Sequence, residues 1–156
     1  MTPAPHPLDP LSADELERAV ACVRSARDLG GAVRFVCVEL RDPDKSQLAS
    51  WRDGGTPPPR EAALVVLVAG RTYEAVVGLD THALLTWKHV PGAQAAVTGD
   101  EYAEAEVAVK ADPGFRQALA RRGVADLDLV MIDTWTVGRF EQPDRRVGRE
   151  IGRAHV

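Results

Sequence analysis

Two tetrapeptides, Ser12-Ala13-Asp14-Glu15 and Thr98-Gly99-Asp100-Glu101, open this chain's structure in the same way. Each is a capping box, in which a hydroxyl accepts from an exposed amide and a glutamate three residues on reaches back. Apolar residues follow each box at helical spacing. After the first come Leu16, Ala19, Val20 and Val23, with Gly30-Gly31 as the stop. After the second come Tyr102, Ala105 and Val109, then a break at Asp112-Pro113 and a helical FRQALARRG. Gly123 ends that run, with Arg121 and Arg122 at the negative end of its dipole. A chain that starts a helix twice in this manner is expected to build two units rather than one.

Strand signals follow the first helix. Val33 to Leu40 is rich in β-branched residues, with Arg34 and Glu39 as its charges, which predicts a largely buried strand. Arg41 to Arg60 is polar, carries Pro57-Pro58-Pro59 and reads as a loop or irregular edge. Three further strands are expected over Ala62 to Ala69, Thr72 to Gly78 and Ala83 to Val90, turned by Gly70-Arg71 and Asp80-Thr81. One helix on a four-stranded antiparallel meander is a complete α+β unit. The second helix is followed by one strand signal, Asp128 to Thr136. A helix with a single strand cannot bury its apolar face. The fold class expected is therefore α+β: two small helix-on-antiparallel-sheet domains in tandem, the second truncated. The boundaries expected are an extended lead-in over 1–11, a first domain over 12–92 and an incomplete second over 93–147.

Composition narrows the function classes. The chain has 156 residues, is 45% hydrophobic and 27% charged, and carries 19 Lys and Arg against 23 Asp and Glu. A net charge of -4 supplies no basic face to release counterions, so nucleic acid is not an expected partner. No apolar stretch reaches the roughly 18 residues of a membrane span, and MTPAPHPLDPLSADEL has no secretory pattern. The expected setting is cytoplasmic. Cys22 and Cys37 are too few for a disulfide framework and read as small buried hydrophobes. His82 and His89, seven apart on one expected strand, fall on opposite faces and cannot share a metal. His6 lies in a loose lead-in. No Gly-x-Ser-x-Gly, Gly-x-x-x-x-Gly-Lys or Gly-x-Gly-x-x-Gly run is present.

Two features are less plain. Asp133-Thr134-Trp135 places a carboxylate and a large aromatic where the last strand ends, and Tyr102 could project from the same end. Core packing for Trp135 and a helix-dipole contact for Asp133 is the blander expectation. Local physics names no catalytic residue.

Read together, HPLDPLSADEL, EAALVVLVAGRTYEAVVGLD with TWKHVPG, and EYAEAEVAVKADPGFRQALARRGV with DLDLVMIDTWTVGRF resemble the N-terminal region of copper-containing primary amine oxidases, over His6 to about Arg146. The resemblance implies two small α+β domains ahead of a large catalytic domain. It implies oxidation of primary amines to aldehydes with release of ammonia and hydrogen peroxide. Copper and topaquinone would serve as cofactors in the catalytic domain, the enzyme would be a homodimer, and this region alone would be inactive. Neither Tyr73 nor Tyr102 has the Asn-Tyr-Asp/Glu-Tyr surroundings of the quinone precursor, and the copper-binding His-x-His pair is absent. The expected catalytic, cofactor and metal residues here are therefore none. Tyr102, Asp133, Thr134 and Trp135 match positions lining the mouth of the amine channel in that family. The competing expectations are a stand-alone, non-enzymatic interaction module and a purely structural pair of domains.

Glu150-Ile151-Gly152-Arg153-Ala154-His155-Val156 back-translates to GAG ATC GGA AGA GCA CAC GTC, which resembles an adapter ligated to DNA fragments for sequencing. Residues 148–156 are accordingly set aside as an expected artefact.

Overall fold

The computed structural model describes residues 6–31, 33–135 and the backbone of 154–155. The chain divides into two compact units, residues 1–95 and 96–156.

Ser12 closes the first capping box. Its hydroxyl accepts from the Glu15 amide at 3.3 Å, and its own amide donates to Glu15 Oε2 at 2.8 Å. Helix α1 then runs Ala13–Ala26. Glu15, Ala19 and Val23 form its buried stripe, one residue every four. That stripe lies on a four-stranded antiparallel sheet in the order β1-β2-β3-β4, with β1 Val33–Arg41, β2 Glu61–Val68, β3 Arg71–Gly78 and β4 Ala83–His89. Ala62, Leu64 and Val66 alternate inward along β2, facing Ala75 and Val77 of β3, and Leu79 completes the core.

Aromatic rings pair across β3 and β4. Tyr73 stacks on Trp87 at 4.8 Å between centroids and lies 5.2 Å from the His89 ring. The guanidinium of Arg27 sits over Trp87 at 5.8 Å, and that of Arg24 over Phe35 at 5.1 Å.

Several expectations change. Strand β1 is half-buried rather than largely buried, because it is an edge strand with a neighbour on one side only. A register shift between Phe35 and Cys37 leaves Val36 as an extra residue, so Phe35 and Val38 both face the core side and alternation fails there. The polar stretch expected as a loop contains a helix, α2 Lys45–Arg52. The Asp44 amide donates to Gln47 Oε1 at 3.0 Å, an Asp-x-x-Gln start of the same kind as the two boxes recognised above. His82 is not on a strand but in the turn before β4, at φ +52°.

The β2–β3 turn falls on Ala69-Gly70, one residue earlier than expected. Both have positive φ, +47° and +76°, the geometry of a type I′ hairpin. Gly70 adopts it freely, whereas Ala69 pays for its Cβ. Ala69→Asn, which makes the favoured Asn-Gly turn, should stabilise the first unit by about 1 kcal/mol in urea unfolding. An unchanged midpoint would reject this reading of the turn.

In the second unit, α3 spans Gly99–Ala111 and α4 Pro113–Ala120. Glu101 accepts from the Thr98 amide and hydroxyl at 2.8 and 3.0 Å. Asp112 ends α3 and caps α4, accepting from the Phe115 amide at 2.7 Å. The strand expected over Asp128 to Thr136 is mostly replaced, and Thr136 lies outside the described residues. Asp126 accepts from the Asp128 amide at 3.0 Å and tightens Leu127–Leu129 into a 3-10 turn, leaving β5 only Met131–Ile132. Its antiparallel partner β6, Ala154–His155, comes from the tail set aside above. Backbone pairing of this length asks little of the side chains. The buried core here is Leu119, Val130 and Ile132, with Val109, Phe115, Val124 and Leu127 packed around it.

Candidate functional site

Chemistry concentrates in two places. The first is buried. Arg60 Nε donates to Glu15 Oε1 at 2.7 Å and its Nη2 to Oε2 at 3.1 Å, a two-pronged ion pair in which both side chains are under a tenth exposed. The remaining guanidinium hydrogens reach the carbonyls of His6 at 2.9 Å and Asp9 at 3.1 Å. The loose lead-in expected around His6 is thus pinned. The His6 ring also packs edge-on against Trp51 at 4.8 Å, and its amide donates to Asp9 Oδ2 at 2.7 Å. Arg60 beside it, with Ser12, holds the Glu15 carboxyl down to about 2. A fully ionised, doubly engaged pair of this kind ties structure together and leaves no proton to move.

The second place is exposed. From Val130 the chain alternates strictly: Val130, Ile132 and Thr134 are buried, Met131 and Trp135 exposed and Asp133 half-buried. The outward parity that β5 sets continues through Trp135, so Asp133 and Trp135 share a face. Trp135 Nε1 donates to Asp133 Oδ2 at 2.7 Å. Trp135 is 66% exposed, which overturns its expected place in a core, and the Asp133 carboxylate is engaged by indole rather than by a helix end. Thr134 is inward, and its hydroxyl is buried with no partner among the described residues. Tyr102 lies in the first turn of α3, exposed, and among the described residues no hydrogen bond or ring contact joins it to Asp133 or Trp135.

Other candidates carry less. Burial raises both thiols, and Glu39 raises Cys37 further, so neither is a nucleophile at neutral pH. Among the described residues, no three His, Cys, Asp or Glu side chains gather to hold a metal ion. Tyr73, stacked between strands, and His89 beside it do not make a copper and quinone site. A hollow of about 220 Å³ walled by Arg41, Asp44, Gln47 and Glu61 is polar and smaller than ordinary ligand pockets.

Sequence reasoning missed Arg60 and its partnership with Glu15. The signal was available: Arg60 has the inward parity of Ala62, Leu64 and Val66, and Glu15 lies on the stripe of Ala19 and Val23.

Residues 6–90 match the pattern of the copper amine oxidase N2 domain. The chain is 40% identical over 154 residues to a primary amine oxidase of Arthrobacter sp. (strain P1), covering 97% of this chain and 23% of that protein. It is 36% identical to the peroxisomal N-methylputrescine oxidase 1 of Nicotiana tabacum, covering 94% of this chain and 23% of that protein. The fold matches that of a copper-containing benzylamine oxidase from Hansenula polymorpha, with a TM-score of 0.72, 22% identity, and 91% and 24% of the two chains covered. The chain thus spans about a quarter of the length of these relatives.

Proposed function

The chain belongs to the copper amine oxidase family, as its N-terminal region without the catalytic domain, and from that premise we propose that the full polypeptide is a primary-amine oxidase. The observation that carries this reading is similarity to a primary amine oxidase along nearly the whole chain. The reaction takes a primary amine, dioxygen and water to an aldehyde, ammonia and hydrogen peroxide. Copper and topaquinone would be supplied by the catalytic domain, and the enzyme would work as a cytoplasmic homodimer.

In this proposal the region described here contributes to the approach to the catalytic domain. Tyr102, Asp133 and Trp135 line the mouth through which the amine passes, with Thr134 of the same segment turned inward behind them. A carboxylate there favours a cationic substrate arriving from water. The direct test is peroxide release from copper-loaded full-length enzyme given primary amines. No peroxide with any amine would overturn the proposal. Within that enzyme, Asp133→Asn should raise KM for cationic amines about five-fold with kcat unchanged, as expected for about 1 kcal/mol between a charge pair in water. Unchanged kinetics would remove Asp133 from the entrance.

A further inference from the structure

We propose that the far end of the first unit's inner sheet face docks an extended acidic peptide segment of a partner protein, with two carboxylates four residues apart and an apolar side chain between them. The proposal stands independently of the amine reading.

Helix α1 covers this face only part of the way. Its last buried residue is Val23, and Ala62, Leu64, Val66, Ala75 and Val77 are closed off in the core. Beyond them the register continues the same face. Phe35 pairs with Val66, Val66 with Tyr73 and Tyr73 with His89, while Val68 pairs with Arg71. Phe35, Val68, Tyr73 and Trp87 are half-buried, and Arg71 and His89 are exposed. An aromatic and apolar surface rimmed by charge marks a place of contact.

Charge selects the partner. Arg24 and Arg27 leave the end of α1, and their guanidiniums rest on the rings of Phe35 and Trp87. A ring face supports a guanidinium without neutralising it, and the N–H edge stays available to a carboxylate. Arg71 adds a third positive charge to this face. Against them stands Asp28, whose Oδ1 accepts from the Gly30 amide at 3.4 Å. Glu74, in register with Lys88, lies on the opposite face.

Spacing selects the form. Phe35 is on β1 and Trp87 on β4, three strand spacings or about 14 Å apart. Four residues of extended chain span about 13 Å, and side chains at i, i+2 and i+4 point to one side. A segment crossing the strands sets carboxylates i and i+4 at Arg24 and Arg27, and lays i+2 on Tyr73. Nucleic acid fits worse, because its phosphates call for a continuous basic stripe and these cations are parted by rings.

The test uses the 156-residue chain and the peptide acetyl-Glu-Thr-Phe-Thr-Glu-amide. The chain's three tryptophans give three indole N–H signals, and Trp87→Phe identifies the one at issue. The peptide should shift the Trp87 signal saturably in the millimolar range. Arg24→Gln and Arg27→Gln, both at exposed positions, should each raise Kd about five-fold, and together about 25-fold. The control acetyl-Gln-Thr-Phe-Thr-Gln-amide should give no saturable shift. Equal binding of the two peptides, no saturable shift with either, or an unchanged Kd in the double variant with unchanged circular dichroism would overturn the proposal. So would a tighter response to oligothymidine at matched ionic strength, which would give the face to nucleic acid. Self-association that displaces the peptide as chain concentration rises would overturn it too, by giving the face to a second copy. None of these results bears on the oxidase reading, which stands or falls on peroxide release by the full-length enzyme.

Discussion

Arg60→Met is expected to destabilise the first unit by about 3–5 kcal/mol at pH 7, measured by urea unfolding followed through Trp51 and Trp87. The substitution keeps much of the buried volume but leaves the Glu15 carboxylate with no cation in a site where it is under a tenth exposed. It also releases the carbonyls of His6 and Asp9, so the lead-in should come free. Glu15→Gln should cost less, because Arg60 keeps its carbonyl acceptors and an amide can still take part in the cap. Combining Arg60→Met with Glu15→Leu should recover much of the loss, since removing a whole buried pair is far cheaper than removing half of it.

The same pair sets an acid limb. Glu15 falls from an ordinary 4.5 to about 2 in the folded chain, chiefly because Arg60 hydrogen-bonds its charged form. A depressed carboxyl contributes its full stabilisation above the unfolded value, and loses it as pH falls from about 4.5 through about 2. The drop is worth about 3 kcal/mol. The parent protein should lose that much more stability than Glu15→Gln across this window. Parallel acid limbs in the two proteins, or an unchanged urea midpoint in Arg60→Met, would show that the pair is not what anchors α1 to the start of β2.

What could be foreseen from the sequence divides by the range of the interaction. The capping boxes at Ser12 and Thr98 are local, four residues each, and both helices begin there. The meander from Ala62 to His89 was legible because alternation is local too, and tight turns leave neighbouring strands few other pairings. Helix α2 was hidden by composition: polar residues and the following prolines outweighed Asp44-Lys45-Ser46-Gln47, although the chemistry of its start is the one read correctly twice elsewhere. The bulge at Val36 was not legible, because nothing in a β-branched run marks where the ladder skips. The Asp133–Trp135 bond was half legible. The outward parity of both residues follows from the strand, but the exposure of Trp135 follows from how little is packed over it, which is a long-range fact. Tyr102 shows the same limit from the other side, since a helix position alone does not state what the ring meets.

The second large effect expected is a difference in lifetime under protease. Chymotrypsin should cut within residues 96–135 on the order of 100-fold faster than within 6–95, with early cuts after Leu129, Met131 and Trp135, followed by mass spectrometry over time. The first unit buries Ala19 and Val23 of its helix against Leu64, Val66 and Val77 of two paired strands. The second buries Leu119, Val130 and Ile132, and α3 contributes no buried residue at all. Meanwhile Val107, Leu129, Met131 and Trp135 are each at least 66% exposed. Local opening costs what its buried contacts are worth, so the unit with the smaller core should open first. Equal lifetimes would mean that those three side chains and their neighbours close a sufficient core. The exposed side chains of Leu129, Met131 and Trp135 would then be surface of a closed unit, not uncovered core.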